Sequence, residues 1–429
     1  MKYQPIGKEL FIRNRKNLAA QLKPNSVAIF NSSDVMPTSA DGTLPFVQDA
    51  NLFYLSGIDQ EESILLLAPD FPDEKYKEVL FLKETNDQIA VWEGHKYTVE
   101  EAQETAGVPT ILWLDKFELI LSTILAESKN IYLDTNEHIR NVNQVETRNG
   151  RFGKWCREKY PLYNYERIAP HIYDIRCIKS ELEIATLQKA CDITEIGFRR
   201  ILEVLKPGVW EYELEAEFSY QFLRNKSKGF AYEPIIASGA SACVLHYIEN
   251  NRQCKDGDAI LFDVGAEYAN YNADMTRVLP VNGKFSKRQR EVYDAVLRVK
   301  NAATELLVPG NVIPDYHKEV GQIMEGELLG LGLIDKTDIK NQAPDWPAYK
   351  KYFMHGTSHH LGINVHDVAS IYKKFEYGMV FTVEPGIYIP EEGIGVRLED
   401  DVVITKNGVN NLMRNIPIEA EEIEDLMNH

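Results

Sequence analysis

The sequence predicts an N-terminal α/β domain over residues 1–171 and a C-terminal domain over residues 172–429, in which helices precede strand–turn units. The length of 429 residues is enough for two or three domains. Up to residue 170, strand-like runs at 26–30, 63–68 and 78–83 alternate with helical periodicity at 10–22 and 116–128. The periodicity then lapses between Pro161 and Pro170, which places the domain boundary near residue 172.

The C-terminal domain is predicted to begin with a long helix. Ser180 and Glu183 form a capping-box pattern before an apolar periodic run that ends near residue 205. Further helices are predicted at 211–223 and 286–306, and the strand–turn units that follow are rich in glycine, histidine and acidic residues. These strand–turn units are where chemistry is expected.

Composition narrows the class of partner. The formal net charge is −18 and the chain has no long lysine or arginine block, which argues against nucleic acid and against an anionic membrane. The N-terminus is charged where a signal peptide needs an apolar core, and no stretch approaches 18 uncharged apolar residues. Five cysteines without a CxxC pair are typical of reduced thiols. The expectation is a cytoplasmic protein.

Two aspartates lie in apolar strand patterns on either side of a short turn. Asp263 follows Ile260-Leu261-Phe262, and Asp274 precedes Met275 in the next strand. A hairpin without a bulge, with its turn at Tyr268-Ala269, would place the two carboxylates directly opposite each other. Like charges in that position are destabilising unless a cation lies between them. The alternative is that one carboxylate pairs with Arg277 and the other is solvated.

The arrangement recurs later in the chain. Glu384 lies in an apolar strand that Pro385 keeps extended, and Glu399 lies in a second strand after a glycine-rich connection. Because two strand pairs each carry two carboxylates at mid-strand positions, the pattern argues against a chance arrangement. Asp400 and Asp401 are expected on the solvent face or in a salt bridge.

Histidines add a second kind of ligand. Four of the ten, His355, His359, His360 and His366, fall within twelve residues and have glycine neighbours. Such a cluster favours metal ligation or proton transfer over a structural role. Four carboxylates and one imidazole suit two divalent ions of the Mn²⁺ type, with Co²⁺ or Zn²⁺ also possible. Four negative charges balance two divalent cations and leave a bridging water that is readily deprotonated.

These motifs resemble the metal-dependent aminopeptidase P and prolidase family. The order FDVGAEY, NADMTR, HGTSHHLG, VEPGIY and RLEDDV is similar to the family's five-ligand signature. The resemblance implies that the metal ligands are Asp263, Asp274, His359, Glu384 and Glu399. It also implies a pita-bread (creatinase/methionine aminopeptidase-like) α+β catalytic domain and a ribonuclease H-like three-layer α/β N-terminal domain.

The same resemblance assigns further residues. His246, His355 and His366 match the family's proton-handling histidines, and Tyr388 and Arg397 match residues that it uses near the metals. In the N-terminal part, residues 44–57 are similar to a segment of that domain, except that Val47 replaces a basic residue. Trp92 resembles a tryptophan that reaches a neighbouring subunit's active site, although a core tryptophan is the alternative. Asp34 matches an aspartate near the substrate exit.

The implied activity is hydrolysis of the bond between an N-terminal residue and a penultimate proline by a hydroxide that bridges two metals. Glu384 is the expected general base, His355 would stabilise the oxyanion, and His246 and His366 would orient the carbonyl and the prolyl residue. The partners would be peptide substrates and further copies of the chain, as a dimer or tetramer. The alternatives are a prolidase restricted to Xaa-Pro dipeptides, a methionine aminopeptidase and a non-catalytic binding module.

Overall fold

A mixed sheet organises Pro5–Arg176, the first of two units into which the chain divides in this computed structural model. The structure describes residues 3–142 and 144–428. The strands of this unit are β1 (Ser26–Asn31), β2 (Pro37–Ser39), β3 (Gly42–Thr43), β4 (Ile64–Leu67), β5 (Glu78–Leu82), β6 (Thr110–Trp113), β7 (Asn130–Leu133) and β8 (Asn164–Arg167). Six of them form one sheet in the order β6–β5–β4–β1–β7–β8, and β2 and β3 pair separately.

Helices cover both faces of this sheet. They are α1 (Lys8–Ala19), α2 (Ala50–Ser56), α3 (Asp87–Glu93), α4 (Val99–Ala106), α5 (Phe117–Leu125), α6 (Arg148–Lys159) and α7 (Ala169–Arg176). Every residue of β1, β4 and β7 is buried, so neither face of the sheet centre is exposed to water. On one face, apolar side chains of α5 and Cys156 of α6 pack against alternate strand residues. The predicted three-layer α/β arrangement is confirmed.

The two units divide between Arg176 and Cys177, whereas the sequence placed the boundary between residues 171 and 172. The boundary lies later because α7 belongs to the first unit, where it contacts α1. Its last residue, Arg176, is buried and donates a hydrogen bond to Asn51 Oδ1 at 2.6 Å. Proline at position 170 lies in the first turn of α7, where it needs no hydrogen-bond donor, so it begins this helix and does not separate the units.

The second unit joins long helices to several small sheets. Its helices are α8 (Glu181–Val204), α9 (Glu211–Arg224), α10 (Lys287–Glu305), α11 (Ile313–Gly330), α12 (Lys336–Lys340) and α13 (Ala420–Met427). Its strands are β9 (Ile235–Ser238), β10 (Ala259–Val264), β11 (Glu267–Tyr268), β12 (Tyr271–Asn272), β13 (Met275–Pro280), β14 (Val380–Val383), β15 (Gly386–Ile389), β16 (Ile394–Arg397), β17 (Asp400–Thr405) and β18 (Gly408–Asn411). The sheets have the orders β13–β10–β9, β14–β17–β18, β11–β12 and β15–β16.

Capping boxes begin two of the long helices. Ser180 accepts a hydrogen bond from the backbone N–H of Glu183, whose carboxylate accepts one from the Ser180 backbone N–H, as predicted from the sequence. Ser286 and Gln289 form the same reciprocal pair before α10. Each pair satisfies two backbone groups that the first helical turn would otherwise leave without partners.

A buried arginine ties together the strands that carry the acidic residues. Arg277 donates hydrogen bonds to the backbone carbonyls of Thr276 at 3.0 Å and Glu399 at 2.6 Å, and to Asp400 Oδ1 at 2.6 Å. Lys300 of α10 forms a second buried ion pair with Asp400. The alternative that Arg277 pairs with Asp263 or Asp274 is therefore wrong, because its guanidinium forms its hydrogen bonds with the Thr276 and Glu399 carbonyls and with Asp400. Asp400 lies in a salt bridge, but in the interior.

The other expectation for this segment is wrong at Asp401, which is fully buried and not on the solvent face. Its Oδ2 accepts hydrogen bonds from the backbone N–H of Asp274 at 2.9 Å and from the Cys191 thiol at 3.5 Å.

All five cysteines are free, and four of them are buried, with Cys243 half-buried. Among the described residues, no helix is both long and apolar enough to span a bilayer.

Candidate active site

The first acidic hairpin brings Asp263 and Asp274 onto the same face, although not directly opposite each other. In the pairing of β10 with β13, Asp263 lies opposite Thr276, and Asp274 precedes β13 by one residue. The prediction of direct opposition is therefore wrong by two residues. Because side chains alternate with a period of two, this slip makes the aspartates diagonal neighbours and leaves them on one face.

The turn explains the shift. Ala269 and Asn270 both have positive φ, 52° and 63°, and they link β11 to β12 as a two-residue turn. Left-handed backbone at both central positions is typical of a tight hairpin, although such turns usually contain glycine. The turn centre therefore lies one residue later than the Tyr268-Ala269 prediction. Asparagine tolerates this backbone conformation, but alanine gives no sequence signal for it.

The second acidic pair lies where one strand pairing passes into another. β14 pairs with β17 and β15 pairs with β16 in one continuous register, and Glu384 and Glu399 occupy the intervening positions opposite each other. The Glu399 backbone N–H donates to the Thr276 carbonyl at 3.0 Å, which links this pair to the first hairpin. Only Asp263 lies within a strand; Asp274, Glu384 and Glu399 adjoin strand ends, so the mid-strand prediction is wrong for those three.

His359 faces the carboxylates. Its Nε2 lies 3.4 Å from Asp274 Oδ2 and 3.7 Å from Glu384 Oε1. Its Nδ1 lies 3.0 Å from the His360 carbonyl, a contact that places the ring hydrogen on Nδ1 and leaves Nε2 as the ligand atom. Asp274, His359 and Glu399 each offer one ligand atom, and these atoms lie within 4.8 Å of one another. This group could hold a metal ion.

The electrostatics of the carboxylates fit a divalent cation. Burial raises the pKa of Asp263 and of Glu399, and the neighbouring carboxylates raise both further. Burial also raises the pKa of Glu384 to about 7. Carboxylates that are removed from water and close to one another favour protonation unless a cation neutralises them. Oxygen donors with one imidazole are the ligand set of Mn²⁺-type or Zn²⁺ sites, so the residues fit the group that the sequence implied.

A chain of hydrogen bonds runs from the acidic cluster to His355. Arg397, which is buried, pairs with Asp263 and donates to Thr276 Oγ1 at 3.1 Å and to the Tyr388 hydroxyl at 2.8 Å. The Tyr388 oxygen lies 2.8 Å from His355 Nε2. Because Arg397 can only donate, Tyr388 donates its hydrogen to His355, whose Nδ1 faces the carbonyl of the next residue at 2.8 Å.

The two site histidines at positions 355 and 359 are tuned in opposite directions. Burial, with the nearby charge of Arg397, lowers the pKa of His355 to about 3. Burial also acts to lower the pKa of His359, but Asp274 and Glu384 outweigh it and raise that pKa. His355 is therefore a neutral ring at physiological pH, whereas the acidic neighbours of His359 favour its protonated form.

Two residues that sequence reasoning missed contact the acidic cluster. The Tyr232 hydroxyl lies 2.6 Å from both Asp263 Oδ1 and Asp274 Oδ1. The Thr276 hydroxyl donates to Glu399 Oε2 at 2.6 Å. Thr276 could have been found, because it lies two residues after Asp274 and so shares its face. Tyr232 is 31 residues from Asp263 and no periodicity connects them.

The remaining predicted residues differ in position. His366 is exposed, and its ring contacts that of His359 edge to face, with centroids 4.4 Å apart. His246 is exposed and is close enough to contribute to the lowered pKa of His355. In the first unit, Asp34 pairs with Arg151 and accepts a hydrogen bond from the first backbone N–H of α6 at 2.8 Å. Trp92 of α3 is 90% exposed, so the core-tryptophan alternative is wrong.

Comparison with known proteins defines the class. Residues 185–406 match the model described as metallopeptidase family M24, and residues 11–132 match the one described as aminopeptidase P, N-terminal domain. The chain therefore belongs to metallopeptidase family M24, with an N-terminal domain of the aminopeptidase P type. The family resemblance stated from the sequence, the pita-bread fold and a requirement for divalent metal are confirmed at this level.

Individual relatives are similar over the whole chain. Xaa-Pro aminopeptidase of Haemophilus influenzae is 36% identical over 99% of this chain and 98% of that protein. Xaa-Pro aminopeptidase of Escherichia coli strain K12 is 35% identical over 98% of each. The solved structure of E. coli aminopeptidase P with the inhibitor Pro-Leu has a TM-score of 0.86 and 34% identity, covering 99% of each chain.

Proposed function

We propose that this protein is an Xaa-Pro aminopeptidase, which hydrolyses the bond between an N-terminal residue and a following proline. The observation that carries the proposal is the convergence on His359 of four acidic side chains from two linked hairpins, with Asp274 and Glu399 buried and Asp263 and Glu384 half-buried. Such a cluster is unfavourable without cations, and a metal-dependent hydrolase gives those cations a use. The resemblance to full-length Xaa-Pro aminopeptidases supports the specificity for proline.

The proposed ligands are Asp263, Asp274, His359, Glu384 and Glu399, and the proposed cofactor is a pair of Mn²⁺ ions, with Co²⁺ or Zn²⁺ as alternatives. Bound there, the metals would supply a hydroxide nucleophile at neutral pH and polarise the scissile carbonyl. The protein supports the ligands through Tyr232, whose hydroxyl lies 2.6 Å from both aspartates, and Thr276, which donates to Glu399.

Glu384 is the proposed general base. Its Oε1 lies 3.7 Å from His359 Nε2 and its Oε2 lies 3.8 Å from His355 Nδ1, so it is placed between the acidic cluster and the neutral histidine. A carboxylate at this position can accept a proton from a water that is bound at the cluster. Glu384 would take the proton of the attacking water and return it to the departing amine.

His355 is the proposed donor to the oxyanion of the tetrahedral intermediate. Its single N–H, at Nδ1, faces the Gly356 carbonyl, so it must leave that acceptor when the substrate carbonyl arrives. The prolyl nitrogen carries no hydrogen and must be protonated to leave. His246 and His366, which are exposed and lie close to His355 and His359 respectively, would assist this protonation and orient the substrate. Arg397 and Tyr388 would hold His355 in position.

The decisive experiment strips the protein with a chelator, reloads it with Mn²⁺ and compares a tripeptide Xaa-Pro-Xaa with a dipeptide Xaa-Pro. Metal-dependent cleavage of the tripeptide, and none of an Xaa-Ala-Xaa control, is the expected result. Cleavage of the dipeptide alone would establish the prolidase alternative. If neither were cleaved while metal was bound, the assignment to proline peptides would be wrong.

Assembly and location complete the proposal. We expect a homo-oligomer, dimer or tetramer, in which the exposed indole of Trp92 is available to a partner subunit. Light scattering of the native protein and of Trp92→Ala would test both the assembly and this contact. The five free cysteines are consistent with a reducing compartment such as the cytoplasm.

A further inference from the structure

A cavity of about 320 Å³ lies next to the candidate active site, in the second unit. It is open on one side and is lined by the start of α11, the turn at Tyr349 and Lys350, and the segment from Phe353 to Thr357. Pro314, Phe353 and Met354 contribute the apolar part of its lining. This volume is at the lower end for small-molecule sites and suits a single amino-acid side chain with its terminal group.

Every charged or titratable group that lines this cavity, apart from the Tyr349 hydroxyl, is basic. The four are His317 and Lys318 of α11, Lys350, and His355, and no aspartate or glutamate in residues 3–142 or 144–428 lines the cavity. Among the described residues neither lysine forms an ion pair with a carboxylate. The ammonium of Lys350 lies 5.1 Å from the ring of Trp346. Because His355 is a neutral ring, the positive charge at the cavity comes from Lys318 and Lys350. In a protein of net charge −18, these two lysines favour an anionic ligand.

One part of the cavity wall, the His317 ring, is held in place by the neighbouring backbone. His317 Nε2 lies 3.2 Å from the Ser358 backbone nitrogen and 3.1 Å from the Ser358 carbonyl oxygen. The His317 ring lies against Gly356, where an added Cβ would approach within 2.8 Å of it, so the absence of a side chain there permits the contact. A site whose groups are already held in place loses less entropy on binding than a mobile one.

His355 links this cavity to the catalytic cluster. It lines the cavity, its Nε2 contacts Tyr388, and its Nδ1 lies 3.8 Å from Glu384 Oε2. A ligand in the cavity is therefore next to the residues proposed to act on the scissile bond. A lining that combines apolar atoms with two lysines complements an apolar amino-acid residue that ends in a carboxylate.

We propose that this cavity binds the free carboxylate of an apolar C-terminal residue. The inference rests on the proposed function, because the peptide substrate supplies such a residue after its proline. The same chemistry could come from a free apolar carboxylic acid, so the test must separate these two sources.

The test compares the tripeptide Ala-Pro-Leu with its C-terminal amide, on wild-type protein and on the double variant Lys318→Met/Lys350→Met. The wild type is expected to prefer the free acid in kcat/KM by about fivefold, the size of effect that partly exposed ion pairs produce, and to lose this preference at high salt. In the double variant the ratio of acid to amide should fall to about one. Lys336→Met, an exposed lysine of α12 outside the cavity, should keep the wild-type ratio.

Calorimetric titration with isovalerate covers the second source without reference to activity. Binding to the wild type and not to the double variant, together with equal cleavage of the two peptides, would assign the cavity to free acids. A preference for the acid that persists in the double variant, or neither a preference nor isovalerate binding, would overturn the inference. Failure of the proposed function is distinguishable, because then neither peptide is cleaved whatever isovalerate does.

Discussion

Single side chains decide whether the acidic cluster can exist without protonation. Burial and mutual repulsion raise the pKa values of Asp263, Glu384 and Glu399, and the charge of Arg397 opposes this rise at all three. A positive charge from outside the protein is needed to keep all of them ionised. At this scale, therefore, metal binding and carboxylate ionisation are one equilibrium.

Asp274→Ala is expected to remove metal and activity together. The change deletes a ligand that lies 3.4 Å from His359 and also deletes the acceptor of one Tyr232 contact. We expect metal content, measured by elemental analysis after gel filtration, to fall by at least about tenfold, the lower end for loss of groups that support a metal site. Asp345→Ala, at an exposed acidic position, should retain wild-type metal. Full metal content in Asp274→Ala would contradict the assignment.

Asp134 predicts a pH dependence in the first unit. This carboxylate follows β7, is buried, and accepts two hydrogen bonds of 3.0 Å from the Asn51 amide. Burial, and then the charge of Asp49, raises its pKa to about 8, against the opposing charge of Arg176. The folded protein therefore keeps a proton there that the unfolded chain loses near pH 4, so stability falls as pH rises from about 4 to 8, by up to about 1.4 kcal/mol per pH unit.

Hydrogen exchange of β7 checks this prediction. After correction for the intrinsic rate, protection should be stronger at pH 5.5 than at pH 7.5. Asp134→Asn should reduce this difference, because the amide does not titrate. Asp41→Asn, at an exposed position, should leave it unchanged. An equal difference in the wild type and Asp134→Asn would show that another group is responsible.

At the scale of elements, the hairpin that carries Asp263 and Asp274 depends on a glycine between β10 and β11. A Cβ at Gly265 would lie 1.8 Å from the Ala273 backbone carbonyl oxygen, which belongs to the strand segment that leads into Asp274. Backbone cannot move aside as a flexible side chain can. The close approach of the two chains therefore fixes both the hairpin and the position of its second aspartate.

Gly265→Ala is expected to destabilise the second unit by about 3 kcal/mol, the upper range for overpacking a well-packed site. Chemical denaturation followed by the tryptophan fluorescence of the whole chain measures the loss. Gly326→Ala is the matched control, because nothing lies within 4 Å of its added Cβ in α11. That variant should gain up to about 1 kcal/mol from helix propensity. Similar stabilities for the two variants would refute the role given to Gly265.

The elements were more predictable from the sequence than their exact pairing. Helix and strand positions follow from hydrophobic periodicity and from caps such as Ser180, because both act over a few residues. The hairpin register was wrong because it depends on a left-handed Ala269, which has no sequence signature. The partners of Tyr232, Arg277 and Asp401 could not be read from the chain, because tertiary packing brings them together over long sequence separations.

At the scale of the whole molecule, metal should act as a stabilising ligand. A cation that binds the folded cluster and not the unfolded chain adds about 2.7 kcal/mol at a free concentration of 100 times its Kd. We expect Mn²⁺ to raise the thermal unfolding temperature of chelator-treated protein by several degrees. Asp274→Ala should show little of this rise. An equal rise in both proteins would place the stabilising ion elsewhere.

Because the five thiols differ in burial, their alkylation can report the unfolding of the protein. Cys156, Cys177, Cys191 and Cys254 are buried, and Cys243 alone is half-buried. A small alkylating reagent added to native protein should therefore modify Cys243 first, three residues from His246, and modify the other four only as their surroundings open. Counting the adducts by mass over time would measure the opening of both units in the wild-type sequence, since Cys156 lies in the first unit and Cys191 in the second.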